Sequence, residues 1–221
     1  MKRIIISLFA LMAIMAFSSC EKEKEDKHDY VDLGLSVKWA TCNVGANKPE
    51  EYGDYYAWGE TSTKESYYQF GIFFKNGGFM KYSTNELFAF NGITDNKTTL
   101  DLEDDVANAK WGGSWRMPTQ AEFNELINNC TWNFTTQNGV YGYKVTSNKT
   151  GYTDKSIFLP VGGVHYDNKF EMEGSYGYYW SSSLSSNSDF YSYMLLLLYN
   201  GTYRVDTEDR YYGLSVRPVC P

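Results

Sequence analysis

Acidic side chains concentrate in residues 101–105, whose sequence is DLEDD. Hard cations such as Ca²⁺ are bound by several carboxylate and carbonyl oxygens, so this stretch is a candidate calcium site. Its candidate ligands are Asp101, Glu103, Asp104 and Asp105. The spacing matches no EF-hand loop, and the same residues suit the first turn of a short helix reaching Ala109, because carboxylates stabilise the positive end of a helix dipole. Both interpretations stay open, and no other cofactor is predicted.

Tyrosine, serine and asparagine dominate the last third of the chain. Half of the 20 tyrosines lie from Tyr166 onward, and Trp180 opens a run rich in Ser, Asn, Asp and Tyr. Tyrosine offers a large amphipathic contact area at low entropic cost, while Ser and Asn supply adaptable hydrogen bonds. We therefore predict a ligand-binding face there. Its candidate residues are Tyr178, Tyr179, Trp180, Asn187, Asp189, Tyr191, Tyr193, Asn200, Tyr203, Asp206, Tyr211 and Tyr212.

The same aromatic residues have a second interpretation, as part of the protein core. Alternating aromatic residues on strands are typical of buried positions, and at Trp180 the core interpretation is favoured. Aromatic and amide side chains suit sugars and proteins alike. The sequence therefore does not choose between a glycan and a protein as ligand.

Residue types that carry catalysis are sparse. The only histidines are His28 and His165, and one isolated histidine is weak evidence for general-base chemistry. No Gly-rich phosphate loop, histidine cluster or nucleophile elbow occurs. Arg116 could clamp an anion, but an arginine beside a helix start is more often an ion-pair partner. We predict that the protein is not an enzyme.

The clearest local signal surrounds Pro118. This proline favours an extended conformation at Met117, Thr119 is a typical N-cap, and Glu122 completes a capping box. Apolar residues follow at helical spacing, which predicts a helix from Pro118 to near Asn129. The residues of this structural motif are Trp115, Arg116, Pro118, Thr119 and Glu122.

The rest of the chain predicts short strands and long loops. Alternation over residues 31–39 indicates a lead-in strand, and residues 157–161 and 214–219 are further strand candidates. Asn138-Gly139 and Asn200-Gly201 each predict a hairpin turn. Between Asn43 and Asn96, frequent glycines among aromatic residues indicate ordered loops. Together these elements predict an α+β fold.

Four stretches in order resemble the Fibrobacter succinogenes major paralogous domain, a family abundant in Bacteroides-type surface proteins. WRMPTQAEFNEL, at residues 115–126, is similar to its signature W-R-x-P-T-x-x-E-[FW]-x-x-L. VDLGLSVKWAT at 31–41, YAWGET at 56–61 and GLSVRPV at 213–219 agree as well, so the resemblance covers nearly everything from Tyr30 onward. It implies a C-type-lectin-like fold with short antiparallel strands, one or two helices and long ordered loops.

The resemblance also bears on the cysteines. Because lectin-like folds usually bring their termini together, it allows a disulfide between Cys42 and Cys220; buried free thiols are the alternative. Formylglycine-generating enzymes, which share this fold, use a cysteine pair in its C-terminal part. No cysteine lies between Cys130 and Cys220, so that oxidase chemistry is not expected here.

The N-terminus has the pattern of a bacterial lipoprotein. Residues 1–19 read as a signal peptide, and Cys20 as the lipid-bearing first residue of the mature chain, with simple cleavage after Ser19 as the alternative. Residues 20–29 form an expected flexible tether, whose Lys24-Glu25-Asp26 resembles a surface-export signal. A single domain then spans residues 30–221. We predict a lipid-anchored protein of the outer membrane, facing outward.

Charge narrows the classes of partner. Removing Lys2 and Arg3 with the leader changes the formal net charge from −7 to −9, which disfavours a nucleic-acid partner. The favoured function is recognition of a glycan or a surface protein. One special form would be a variable protein rewritten by a diversity-generating retroelement. The alternative of another class is a structural component of the cell envelope that makes contacts through exposed strand edges.

Overall fold

A computed structural model describes residues 28–68, 71 and 73–221 of the chain. Two helices and thirteen short strands form in these residues, together with a 3₁₀ turn at Phe90–Gly92. The elements are β1 (Tyr30–Val31), β2 (Lys38–Ala40), β3 (Phe74–Lys75), β4 (Gly78–Phe79), α1 (Val106–Trp111), α2 (Gln120–Asn129), β5 (Cys130–Gln137), β6 (Val140–Ser147), β7 (Ser156–Pro160), β8 (Val164–Tyr166), β9 (Lys169–Glu171), β10 (Tyr176–Leu184), β11 (Tyr191–Leu198), β12 (Tyr203–Asp209) and β13 (Val219–Cys220).

Every paired strand in the described part of the chain is antiparallel to its neighbour. Three sheets have three strands each, in the orders β1-β2-β13, β5-β6-β7 and β10-β11-β12. β3 with β4 and β8 with β9 form two separate hairpins. The fold is therefore α+β, mostly β, as predicted at that level.

Helix α2 confirms the motif around Pro118. The Thr119 side chain accepts from the Glu122 amide at 3.2 Å, and the Glu122 carboxylate accepts from the Thr119 amide at 2.7 Å, which completes the capping box. Arg116 pairs with the same carboxylate at 2.8 and 2.5 Å, so its role is that of an ion-pair partner. Phe123 and Leu126 of α2 are fully buried.

The acidic stretch differs from the prediction of a helix running from Asp101 to Ala109. Helix α1 begins only at Val106 because Asp105 is its N-cap, accepting from the amides of Ala107 and Asn108. A second oxygen of Asp105 accepts from the Met117 amide at 2.8 Å. This carboxylate therefore ties α1 to the segment that leads into α2.

The lead-in strand predicted over residues 31–39 is wrong in its length. It is divided into β1 and β2, which pair with each other through a turn. Gly34 has φ +70°, and its amide donates to the Asp32 carboxylate at 2.8 Å. A Cβ at Gly34 would lie 2.5 Å from the Tyr152 ring, so the turn requires glycine on two counts.

The closing strand predicted over residues 214–219 is also wrong in extent. Only Val219 and Cys220 form a strand, β13, which pairs with β2. Leu214 and Ser215 instead make single bridges to Tyr56 and Tyr179. The segment thus crosses from one sheet to another rather than continuing along one.

Both predicted hairpins form. Asn138 and Gly139 take φ values of 49° and 86° between β5 and β6, as a tight hairpin turn requires. Asn200-Gly201 joins β11 to β12. The short strand predicted at residues 157–161 is confirmed as β7, and the long loops predicted from Asn43 to Asn96 contain only β3, β4 and the 3₁₀ turn among the described residues.

Two hydrophobic clusters lie on opposite faces of the sheet β10-β11-β12. One contains Tyr179, Leu195 and Leu197 together with Phe123 and Leu126 of α2. The other contains side chains of the opposite alternation, Trp180, Met194 and Leu196, together with Trp58 and Leu214. The sheet is therefore a central layer with apolar contacts on both faces.

The cysteines follow the free-thiol alternative at two positions. Cys42 and Cys130 carry free thiols, so the possible disulfide between Cys42 and Cys220 does not form in this structure. Burial raises the pKa of the Cys130 thiol to about 11. That thiol is a packing residue without a reactive thiolate at neutral pH.

The signal peptide, Cys20 and residues 20–27 of the tether lie outside the described residues. The last two tether residues belong to the domain. The His28 ring stacks on Trp111 at a centroid distance of 3.7 Å, and the Asp29 carbonyl accepts from the Thr41 amide at 3.0 Å. No helix within the described residues is long and apolar enough to cross a membrane.

Candidate ligand-binding site

Five tyrosines from three separate segments form one aromatic surface, which we call the tyrosine surface: Tyr166, Tyr176, Tyr178, Tyr211 and Tyr212. Tyr176 and Tyr178 are stacked on β10 with ring centroids 6.2 Å apart. Tyr166, at the end of β8, lies 4.7 Å from Tyr212, which is 4.8 Å from Tyr211. Tyr176, Tyr178 and Tyr212 all pack against the same cluster beneath.

Backbone pairing brings these segments together. His165 and Gly213 exchange two hydrogen bonds of 2.9 Å, which sets Tyr166 beside Tyr212. A Cβ at Gly213 would lie 2.9 Å from the Tyr67 ring and 3.0 Å from the Cβ of His165, so this close approach depends on glycine. The tyrosine surface therefore rests on a hydrogen-bonded backbone rather than on loop tips.

Carboxylates of β12 border the tyrosine surface. Burial raises the pKa of Glu208, and the neighbouring carboxylates of Asp209 and Asp206 raise it further. Burial likewise raises the pKa of Asp209. Asp206 is already paired, since the Nε of Arg204 donates to it at 2.8 Å and Nη2 forms an ion pair with it at 2.7 Å. Glu208 and Asp209 make no ion pair within the described part of the chain.

Three hydroxyls of the tyrosine surface, those of Tyr178, Tyr211 and Tyr212, have raised pKa values and are protonated at neutral pH. Burial, with smaller contributions from Glu208 and Tyr176, raises the pKa of Tyr178 to about 12. Burial and the Tyr211 hydroxyl raise the pKa of Tyr212. These phenols are poor bases and poor nucleophiles, but they can donate hydrogen bonds and present ring faces. The surface is suited to binding.

Three of the twelve candidates from the sequence are corrected by their burial. Tyr179 and Trp180 are at most 1% exposed, and each points its polar atom into the protein. The Tyr179 hydroxyl donates to the Pro160 carbonyl at 2.6 Å, and the Trp180 indole donates to the Tyr56 carbonyl at 2.8 Å. Both are core residues and do not reach a ligand at the surface.

Asp189 is the third correction. Its carboxylate is 1% exposed and accepts from the Thr84 hydroxyl at 2.8 Å and from the amides of Thr84 and Asn85 at 2.9 and 3.1 Å. The Ser83 hydroxyl donates to it as well, at 2.7 Å. Asp189 therefore joins two loops as a structural residue.

The remaining candidates divide among several places. Tyr178, Tyr211 and Tyr212 belong to the tyrosine surface, and Asp206 lies on the bordering strand. Tyr203 lies on the α2 side of the sheet, stacked on Trp132 at 4.7 Å. The others are exposed or half-buried residues away from these groups: Asn187, Tyr191, Tyr193 and Asn200.

An open polar cleft of about 520 Å³ lies between two loops near Asp189. Exposed Asn187 contributes to its wall. The cleft is lined by Thr84, Asn85, Glu86, Leu87, Ser186, Asn187, Ser188 and Asp189. It is shallow and lacks aromatic side chains, so it offers less contact area to a ligand than the tyrosine surface does.

The candidate calcium ligands are only partly brought together. Asp101, Glu103 and Asp104 have oxygens within 4.8 Å of one another. Lys81 donates to Glu103 at 2.8 Å and to Asp104 at 2.7 Å, while Lys97 pairs with Asp101. A cation there would have to displace the Lys81 ammonium. Asp105 is engaged in the cap of α1 and points elsewhere.

Sequence reasoning missed Tyr166, Tyr176 and Glu208. The tyrosine count of the last third included both aromatic residues, but nothing in the local pattern assigned them to one surface. No protein-family model, curated protein or solved structure matches this chain. Support for a function therefore comes from the site geometry and the sequence motifs of the chain itself.

Proposed function

We propose that the protein is a non-enzymatic recognition module that binds a glycan or a protein ligand at the tyrosine surface. The observation that carries this proposal is the convergence of five half-buried or exposed tyrosines, three of which, Tyr178, Tyr211 and Tyr212, interact electrostatically with Glu208. Each ring offers an amphipathic contact area with few rotatable bonds, so little side-chain entropy is lost on binding. Protonated phenols and carboxylates complement one another as hydrogen-bond donors and acceptors.

Support for a binding role also comes from the hydrogen-bonded backbone beneath the tyrosine surface, which is rigid. β10, β11 and β12 are hydrogen-bonded along most of their length, and the loop carrying Tyr211 and Tyr212 is fixed by the pairing of His165 with Gly213. A surface that is already ordered loses little conformational entropy when a ligand binds. Such a surface is suited to specific recognition.

We further propose a C-type-lectin-like fold of the Fibrobacter succinogenes major paralogous domain type. The four quoted motifs support it, as does the pairing of β2 with β13, which brings the start and end of the domain together. On the same resemblance, with the lipoprotein pattern around Cys20, we propose that the domain is lipid-anchored to the outer membrane and faces outward. Extracellular glycans and surface proteins would then be within its reach.

The first experiment is a binding screen of the full chain, purified in detergent, on a glycan array and on a panel of cell-surface proteins. A Tyr178→Ala/Tyr212→Ala double variant is compared with a Tyr30→Ala/Tyr141→Ala control. Both control tyrosines are about half exposed, at 51% and 52%, and lie on other sheets. We expect specific binding that the first pair of substitutions removes and the control pair retains.

Folding of each variant is checked by circular dichroism and thermal unfolding before binding is compared. Equal binding by both double variants would place the ligand elsewhere and contradict the proposal. Failure of the folded wild-type chain to bind any glycan or protein would favour the alternative of an envelope component that assembles through its strand edges.

A further inference from the structure

The charges around the tyrosine surface are unbalanced. Glu171 on β9 and Glu208 and Asp209 on β12 are acidic groups at its border. Among the cations of the adjoining strands, Arg204 is paired with Asp206, and Lys169 is an exposed residue opposite Tyr166 on the β8-β9 hairpin. The ring faces are therefore surrounded by more negative than positive charge.

Among these acidic residues, Glu208 gives the strongest evidence for a missing cationic partner. One of its oxygens accepts only from the adjacent Asp209 amide, at 3.1 Å, and the carboxylate makes no ion pair within the described residues. Its electrostatic influence reaches Tyr178, Tyr211 and Tyr212. A partly buried carboxylate without a charged partner is costly, and a bound cation would offset that cost.

A second observation at the same place is the hydroxyl of Ser192. This residue is fully buried, and its Oγ has no hydrogen-bond partner in the part of the chain that the structure describes. Ser192 lies directly opposite Glu208 in the β11-β12 register, so both side chains belong to one face of the sheet. The described part of the chain thus leaves a buried hydroxyl and a partly buried carboxylate without a strong partner at one position of the sheet.

The chain itself provides an example of the matching chemistry. The guanidinium of Arg210 lies 4.6 Å from the Trp58 ring and 4.2 Å from the Phe79 ring, and donates to the carbonyls of Tyr82 and Asp189. Arginine combines a planar face that stacks on aromatic rings with donors that pair with carboxylates. The tyrosine surface offers both features to a cation from outside.

We propose that the tyrosine surface binds a partner protein through an arginine side chain of that partner, which pairs with Glu208 and stacks on the surrounding tyrosine rings. This rests on the proposed function and narrows its ligand to a basic protein segment. Charge complementarity carries the choice: the chain has a formal net charge of −7, and the surface concentrates uncompensated carboxylates among rings. A neutral glycan could donate hydroxyl hydrogen bonds to Glu208 but would not neutralise its charge.

The test uses fluorescence anisotropy of the full chain with an octa-arginine peptide, an octa-citrulline peptide and an octa-lysine peptide. Citrulline keeps the shape of arginine without its charge, and lysine keeps the charge without the planar fork. We expect octa-arginine to bind most tightly and octa-citrulline not at all. Glu208→Gln should weaken octa-arginine binding by about tenfold or more, the scale of losing a desolvated charge pair.

The control for non-specific attraction of a polycation to an acidic protein is Glu86→Gln. Glu86 is exposed, makes no ion pair within the described residues and lies on the loop at the polar cleft. Removing its charge changes the net charge as much as Glu208→Gln does. Equal weakening by the two substitutions, or equal binding of arginine and citrulline peptides, would overturn the proposal.

Failure here is separable from failure of the proposed function. If a ligand from the array screen no longer binds Tyr178→Ala/Tyr212→Ala but still binds Glu208→Gln, the proposed recognition function stands. The proposed pairing of a partner arginine with Glu208 is then refuted. If octa-arginine binding depends on Glu208 and on both tyrosines while the array screen finds no ligand, the arginine site is supported. The same result counts against the tested glycans and surface proteins as ligands.

Discussion

Tyr178 and Tyr179 are neighbours on β10, yet they belong to opposite faces of one sheet and have opposite roles. Tyr179 packs on the α2 side, where its hydroxyl donates to a backbone carbonyl at 2.6 Å. Tyr178 lies on the other side, where the only hydrogen-bonding neighbour of its hydroxyl among the described residues is the Met172 sulfur at 3.8 Å. A tyrosine whose polar atom is satisfied internally stabilises the fold, and one whose polar atom is left over is available to a ligand.

The same contrast extends along the sheet. On the α2 side, Leu195 and Leu197 are fully buried in a continuous cluster. On the opposite side, burial is complete only near Trp180 and Met194 and declines toward Tyr176 and Leu198. The comparison therefore predicts that stability is concentrated on the α2 side of the sheet and ligand binding on the opposite side.

The largest expected effect is on stability at Leu195. Leu195→Ala removes a fully buried side chain against α2 and should lower the free energy of unfolding by about 2–5 kcal/mol. Leu198→Ala, the matched truncation at the half-buried end of the same strand, should cost roughly 1 kcal/mol. Denaturant unfolding of both variants measures the difference. Equal losses of unfolding free energy in the two variants would contradict the predicted difference between the two faces of the sheet.

A smaller effect separates the two neighbouring tyrosines. Tyr179→Phe leaves the Pro160 carbonyl without its buried donor and should cost about 1 kcal/mol of unfolding free energy. Tyr178→Phe removes a hydroxyl with no strong partner and should change stability by less than about 0.5 kcal/mol. The ligand affinity should respond in the reverse order. Destabilisation by Tyr178→Phe as large as that by Tyr179→Phe would contradict the assignment.

Local signals in the sequence predicted much of the fold. Thr119 with Glu122 predicted the start of α2, and Asn138-Gly139 predicted a hairpin, because each conformation is determined by hydrogen bonds and φ preferences within a few residues. Period-2 alternation also implies that Tyr178 and Tyr179 face opposite sides. It could not say which side is interior, since both faces of this sheet carry apolar clusters.

The site was less predictable than the fold for a physical reason. Tyr166 meets Tyr212 only because His165 pairs with Gly213, and a contact between such distant residues leaves no local pattern. Glu208 looked like one charge in an acidic strand, and its unpaired state is a property of the folded chain. The lead-in strand failed in a similar way, because the packing of Gly34 on Tyr152 interrupts an alternation that looks continuous.

The smallest expected effect concerns Glu122, which anchors the start of α2. Helix α2 covers the sheet face that carries Tyr179 and Leu195, so the burial of that face depends on this helix. Burial alone would raise the pKa of Glu122, but the ion pair with Arg116 and the hydrogen bond from the Thr119 amide outweigh it and lower the pKa. A carboxyl whose pKa is lowered by folding contributes stability above its unfolded pKa, and that contribution is lost as the pH falls through the folded value.

Glu122→Gln keeps a capping side chain and removes the charge. It should cost about 1 kcal/mol or less at neutral pH, because the pair with Arg116 is partly exposed. Urea unfolding of wild type and variant between neutral and acidic pH should show the two stabilities converging below about pH 4.5, the ordinary value for glutamate, with Glu86→Gln as the control for loss of charge alone. A gap that stays constant down to acidic pH would mean that the ion pair with Arg116 does not stabilise α2. The burial of Tyr179 and Leu195 would then rest on apolar packing alone.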